Sequence, residues 1–535
     1  MEHEAAHGAG TPVPDADVVR RAQSADPIAD EGVPWPESPN RTDGQADIVH
    51  WDAAELSVAI RTKVVSCEEV MTAYLDHIEE LNPAVNAIVS LRPRAALLAE
   101  AREKDARLRE GTYQGWMHGF PHAVKDLADV RGIHTSHGLL PPSEDSPVPA
   151  QDALFVSRLR AAGAVFIGKT NTPQLGLGSQ TYNDVFGTTT NAYDQTRTAG
   201  GSSGGAAVAV ALRMLPVADG SDFMGSLRNP PGWNNVFGLR PSFGRIPHDG
   251  EQFVNQGGVN GPIARSALDL ALLLGTMAGY SDTAPLSIRQ DPATFTRFVG
   301  QEVAGRRVAW LGDLGGYLPM DADVKAVTTS ALEDLERLGM SVSTIEEVPG
   351  FDVRQDLWRT WLTYRHWLSG MAVKSFHDDE SLRDALKPES VYELDGLIGD
   401  VDGGPVTAVD VYRSSEKRSE LYAAFRRLFQ TYDYVVLPTA QVMPFEAATP
   451  WPTEIAGVPM TSYHRWMEVT TIGTMIGAPT LAMPAGFSPD GLPIGLQVIG
   501  RNHDEASLLT LAHAWEQQTR LIADNPPPLL STKRG

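Results

Sequence analysis

Gly200-Gly201-Ser202-Ser203-Gly204-Gly205, followed 24 residues after Ser202 by Ser226 within Asp222-Phe223-Met224-Gly225-Ser226-Leu227-Arg228, is the stretch that decides how this chain reads. Glycine has no Cβ, so its backbone amides can approach a ligand closely; such loops also serve as plain turns. A serine hydroxyl is a weak nucleophile and needs an adjacent base. The base on offer lies upstream, in Gly119-Phe120-Pro121-His122-Ala123-Val124-Lys125-Asp126, an apolar strand-like run that ends on a single lysine. Lysine can serve as a base when burial holds its amine neutral.

Two familiar patterns nearby fail on context. Gly163-Ala-Val-Phe-Ile-Gly168-Lys169-Thr170 spells a nucleotide-binding phosphate loop. Such a loop must follow a strand and open a helix, so that its amides cradle the anion. Here the variable residues are themselves the strand, and Asn171-Thr172-Pro173 is a poor helix interior, so ATP or GTP binding is not expected. Gly201 to Gly205 spells the G-x-S-x-G nucleophile elbow around Ser203, yet an elbow needs a strand before it. The preceding Asp194-Gln-Thr-Arg-Thr-Ala199 reads as polar loop. His248, His366 and His464 lie downstream without a context that singles one out as a triad base.

Taken in order, the lysine run, the Gly/Ser block and the Ser226 loop resemble the amidase signature family, serine hydrolases that use Ser-Ser-Lys in place of Ser-His-Asp. The resemblance runs from about Asp52 to about Thr519. Leu56 to Val89 looks like the family's opening helices and their Leu-Asn-Pro turn. Gly477-Ala-Pro-Thr-Leu-Ala-Met-Pro484 and Asp490-Gly-Leu-Pro-Ile-Gly-Leu-Gln497 look like its closing strands. The resemblance implies an α/β fold in which a large mixed central β-sheet is sandwiched between α-helices. It assigns Ser226 as nucleophile, Ser202 as the bridging serine after a cis Gly201–Ser202 peptide, and Lys125 as the base reached through Ser202. Phe223, Met224, Gly225 and Ser226 then present consecutive backbone amides, the material of an oxyanion hole. Gly178 and Ser179 fall where the resemblance implies a loop close to the bound carbonyl.

The chain departs from the common family pattern at two places. Met224 stands where the first glycine of Gly-Gly-Ser is usual, and Asn229-Pro-Pro-Gly-Trp-Asn-Asn235 replaces the usual small-residue and cysteine stretch. The implied activity is a cofactor-independent hydrolase of C–N bonds in a small, apolar or aryl amide, with a carbamate also open. Two other readings remain. An amidotransferase component working on aminoacyl-tRNA is disfavoured by the departures around Met224 and Trp233. A non-catalytic binding protein with the same fold is disfavoured by the presence of Lys125, Ser202 and Ser226 together.

Composition narrows the partners. Acidic residues outnumber basic ones, 67 to 44, for a formal charge of -23. That field repels nucleic acid and an anionic membrane. Cys67 is the one cysteine, so an intrachain disulfide and a cysteine-rich metal site are both ruled out. It follows Ser66 in an S-x-x-E capping box that Glu69 completes. His134 and His137 are the nearest approach to a metal pair, and their loop context favours a structural role. No run approaches the length of a membrane span, and the chain reads as cytoplasmic, with a homodimer left open.

Along the chain, residues 1–46 are Pro-rich and read as a loosely structured extension, 47–525 as a single domain, and 526–535 as a tail. Helices are predicted over Ala53–Arg61, Cys67–Leu81, Ala95–Leu108, Ala153–Ala162 and Ala206–Met214. Strands are predicted over Ala164–Gly168, Val308–Leu311, Ser341–Thr344 and Tyr434–Pro438, with a hairpin turn at Asp490-Gly491. About 352–432 reads as mostly helical and substrate-side. Within it Trp358, Trp361 and Tyr364 recur at three-residue spacing, with Trp367 beyond. They fit either core packing or an aromatic wall over the active site.

Overall fold

The computed structural model describes residues 32–39, 45–143, 146–248, 255–297, 301–399 and 404–531. Most of the expected N-terminal extension lies outside them. The centre is an eight-stranded mixed sheet in the order Ser341–Thr344, Arg307–Trp310, Tyr434–Pro438, Pro493–Ile499, Thr480–Phe487, Phe237–Arg240, Val259–Ala264, Ala218–Asp222. The first three strands run parallel, and every later pairing is antiparallel. Helices including Ala267–Met277 and Glu505–Thr519 pack on it and share one apolar core with it. The α/β sandwich expected from the sequence is therefore present.

A second sheet of three short strands joins Ile88–Val89, Val165–Thr170 and the lysine strand Pro121–Lys125. Asp219 ties the two sheets together. Buried in the edge strand Ala218–Asp222, it accepts from the Lys125 backbone amide at 3.2 Å and meets His122 Nε2 at 3.0 Å. Lys125 thus emerges at the seam between the sheets.

Strands with continuous apolar runs, such as Tyr434–Pro438, were legible because both faces are buried. Ala218–Asp222, Phe237–Arg240 and Val259–Ala264 were not, since a glycine interrupts each and the first and last also carry Asp, or Asn and Pro, which are depleted in strands. Space explains the glycines. A Cβ on Gly220 would meet Leu227 Cδ2 at 2.8 Å, one on Gly238 the Leu227 carbonyl at 2.2 Å, and one on Gly261 Leu227 Cδ1 at 2.6 Å. Three strands are hollowed out to seat the residue that follows Ser226.

Helix Ala53–Arg61 matches its predicted limits, and Ser66 and Glu69 form the predicted capping box. The expected Leu-Asn-Pro turn is corrected: Pro83 lies inside helix Cys67–Val85. The chain turns instead at Asn86, in the left-handed conformation, while Asn82 Oδ1 accepts from the Ala87 and Ile88 amides and closes the helix end. The tail expected from 526 contains a 3-10 turn, Pro528–Leu530, whose two leucines pack against the main core.

Residues 352–432 are mostly helical as read: Trp358–Asp378, Pro388–Ile398 and Ala408–Thr431 are their long helices. The predicted Ala206–Met214 helix begins two residues earlier, as Gly204–Ala211, and is buried throughout. Gly205 permits its close seat on the small sheet, for a Cβ there would lie 2.4 Å from the Asn171 amide nitrogen and 2.6 Å from the Ala87 carbonyl. Backbone cannot step aside as a side chain does. Gly205→Ala is therefore expected to cost about 3 kcal/mol, the upper range of core overpacking, read as a lower urea midpoint with an unchanged slope.

Candidate active site

Burial defines Lys125. Its side chain sits at the end of a fully buried strand, and its Nζ lies 2.8 Å from Ser202 Oγ, 2.9 Å from Ser203 Oγ and 2.9 Å from Ser221 Oγ. Desolvation pulls the amine down from its ordinary 10.5 to about 7, against the opposing pull of the Asp219 and Asp222 carboxylates. Ser202 Oγ in turn lies 3.0 Å from Ser226 Oγ. A continuous chain of exchangeable protons therefore links the amine to Ser226. The Gly201–Ser202 peptide is cis, as expected. A Cβ on Gly201 would strike the Gln180 amide nitrogen at 2.7 Å, so the Gly/Ser block lies directly against the Ser179–Gln180 backbone.

Ser203, the serine of the false elbow, uses its hydroxyl differently. It donates to the Ser221 carbonyl at 3.2 Å and accepts from the Ser221 amide at 3.2 Å. The motifs alone did not point to Ser203 and Ser221 as lysine partners. A signal was available: Asp219 and Ser221 alternate on one strand and so share a face.

The loop carrying Ser226 is clamped from behind. Asp222 accepts from Arg228 Nε and Nη2 at 2.9 and 2.8 Å and meets Arg240 Nη1 at 3.3 Å, all three side chains being buried. Despite burial, the two guanidinium groups hold its carboxyl well below the ordinary carboxylate range. Asp222 also accepts from the Gly225 and Leu227 amides at 2.9 and 3.0 Å. This corrects the expected row of four amide donors. Gly225 is committed to Asp222, which leaves Phe223, Met224 and Ser226.

These residues open onto a cavity of about 800 Å³. Ser202, Ser226, Phe223 and Met224 line it, as do Gly178 and Ser179. Leu127, Leu175 and Leu177 form one apolar side, while Trp367, Leu368 and Phe376 of helix Trp358–Asp378 form another. Arg365, Asn260 and His464 supply polar positions. The aromatic stripe is resolved in favour of packing. Trp361 and Tyr364 lie behind Phe223, with ring centroids 5.5 and 6.1 Å away, and only Trp367 of the run reaches the cavity.

The remaining candidates also find their places. Lys169 of the phosphate-loop lookalike is buried and donates to the Ala128 carbonyl and the Thr135 hydroxyl. His134 engages the Pro147 and Leu140 carbonyls through both ring nitrogens, as a loop-holding residue does. His137 turns away from it into the cavity wall, with φ at 54°. No helix among the described residues is long and apolar enough to cross a membrane.

Comparison with known proteins agrees with this architecture. The Amidase family model matches residues 69–509. An acylamidase of Rhodococcus erythropolis is 32% identical over 90% of this chain and 98% of its own length. One component of the glutamyl-tRNA(Gln) amidotransferase of Methylobacillus flagellatus is 29% identical over 88% of this chain and 98% of its own. Among solved structures, a bacterial aryl acylamidase of the amidase signature enzymes superposes with a TM-score of 0.81, covering 90% of this chain and 99% of that one at 24% identity. The chain belongs to the amidase signature family. It is an amide hydrolase.

Removing one partner from a buried ion cluster strands the others. Asp222→Asn leaves Arg228 and Arg240 buried without their counter-ion, and is expected to lower stability by about 3 to 5 kcal/mol. Equilibrium urea unfolding of the variant beside the wild type checks this.

Proposed function

We propose that the protein hydrolyses a small apolar or aryl amide through an acyl-enzyme on Ser226, with Ser202 and Lys125 as the proton relay. The observation that supports this most directly is the chain from Lys125 Nζ to Ser202 Oγ to Ser226 Oγ, at 2.8 and 3.0 Å, ending at the cavity. A neutral amine has two N–H donors and one lone pair. Donation to Ser203 and Ser221 leaves the lone pair for the Ser202 hydroxyl. Ser202 passes its proton to Lys125 and takes that of Ser226, whose oxygen attacks the amide carbon.

The carbonyl oxygen becomes an oxyanion, for which the Phe223, Met224 and Ser226 amides are the available donors. Collapse of the tetrahedral intermediate breaks the C–N bond. The proton held on Lys125 returns through Ser202 to the departing nitrogen, so that an amine leaves. Water then attacks the acyl-Ser226 ester by the same relay reversed, releasing the carboxylic acid. Gly178 and Ser179 are assigned to the wall beside the bound carbonyl, and the leucine and aromatic lining suits an apolar or aryl group. The acylamidase likeness supports this substrate class, and it comes with the same chemistry that an amidotransferase component would use on glutamine. Hydrolysis of anilides without ammonia release from glutamine separates the two.

Ser226→Ala is expected to lose covalent labelling by a fluorophosphonate probe and at least about 1,000-fold in kcat, as does the loss of other catalytic nucleophiles. Labelling that persists on Ser203 would overturn the assignment.

The pH dependence has a definite sign. The working form of Lys125 is the neutral amine, so kcat is expected to rise with pH and level off above about 7. Lys125→Ala should remove both the rise and the activity. A profile unchanged by that substitution would place the base elsewhere.

A further inference from the structure

Arg365 lies on helix Trp358–Asp378 and lines the cavity, yet only 3% of it is exposed. A guanidinium has five N–H donors. Nε donates to Glu393 at 2.6 Å and Nη2 to the Tyr463 hydroxyl at 2.6 Å. Among the described residues, no acceptor meets Nη1. Nη1 is not among the fully buried unpartnered atoms, so it is a donor open to the cavity that Arg365 lines, and side chains on three elements hold the guanidinium in place. Glu393 on helix Pro388–Ile398 also accepts from Tyr463 and meets His366 Nδ1 at 3.0 Å. The Phe223, Trp361 and Tyr463 rings lie 5.4, 5.7 and 5.8 Å from the guanidinium carbon. The group is both fixed in orientation and short of acceptors.

Its surroundings decide the charge of what it can take. Glu393 already balances Arg365, and their neighbour His464 is buried and held neutral by desolvation and by the Arg365 charge. A further anion would add an uncompensated charge in a buried setting. An uncharged oxygen acceptor would not.

We infer that Arg365, oriented by Glu393 and Tyr463, is a specificity-determining residue that donates to a second, uncharged carbonyl oxygen of the substrate, distinct from that of the scissile amide. The inference rests on the substrate reading above and narrows it from apolar or aryl amides to those bearing another carbonyl.

The test is calorimetric binding to Ser226→Ala, because binding reports on Arg365 even if the assignment of the nucleophile fails. Two matched pairs probe the two halves of the substrate: 4-oxopentananilide against pentananilide, and 4-acetylacetanilide against 4-ethylacetanilide. At least one carbonyl member is expected to bind about 10- to 100-fold more tightly than its partner, the worth of a hydrogen bond to a charged group. In Ser226→Ala carrying Arg365→Lys that ratio should fall below about 3, since an ammonium cannot reproduce the fixed fork. If this variant does not fold, Arg365→Gln with Glu393→Gln, which removes both charges, gives the same reading. Equal affinities within both pairs would overturn the inference, as would a ratio that survives loss of the guanidinium. Tighter binding of succinanilic acid than of 4-oxopentananilide would overturn the preference for an uncharged acceptor.

Discussion

An amine surrounded by hydroxyls and cut off from water is the constraint on which this structure turns. Lys125 is drawn down to about 7 because burial penalises its charge. A lysine on the surface would remain an ammonium at neutral pH. The fold meets the condition by ending the small sheet on Lys125 and closing the edge of the large sheet over it. Asp219 fastens that closure through the Lys125 backbone and His122, while its charge opposes the neutral amine. Desolvation wins this contest.

A second requirement, a rigid perch for Ser226, is met by charge of the opposite kind. Asp222, Arg228 and Arg240 form a fully buried ionic cluster whose carboxylate also gathers two loop amides. Such clusters are weak contributors to net stability but strongly penalise rearrangement. The hollow made by Gly220, Gly238 and Gly261 works alongside it, because Leu227 has only one seat. Position is fixed at both neighbours of the serine. Met224, standing where glycine is usual, lines the cavity beside Ser226.

Much of this was legible from the chain. The three motif segments together resemble the amidase signature family, and that resemblance implied the mixed-sheet sandwich and pointed to Lys125, Ser202 and Ser226. Helices with caps and apolar stripes were read to within a few residues. The misses have specific causes. Strands such as Ala218–Asp222 are written in glycine and aspartate for the sake of packing and charge, against their own propensity. The commitment of the Gly225 amide to Asp222 is a long-range fact of geometry. The Trp361 and Tyr364 stripe could not be assigned to core or cavity because Phe223, far off in sequence, decides which side of it faces the open space.

Two of the structures that bound the cavity are unlike in kind. Its floor, from residues between 125 and 226, belongs to the sheets and the Gly/Ser block, where at Gly201 and Gly205 neighbouring backbones leave no room even for a methyl group. Its opposite wall is one face of a single helix, with Leu368, Met371, Ala372 and Phe376 presented along successive turns. Such a helix tolerates exchange of side chains far better than a glycine-packed floor does. Diversification of this scaffold can thus proceed by rewriting a handful of residues on one cylinder while the Lys125–Ser202–Ser226 chain beneath stays untouched, and a directed-evolution library confined to that face would explore new selectivity at little risk to folding.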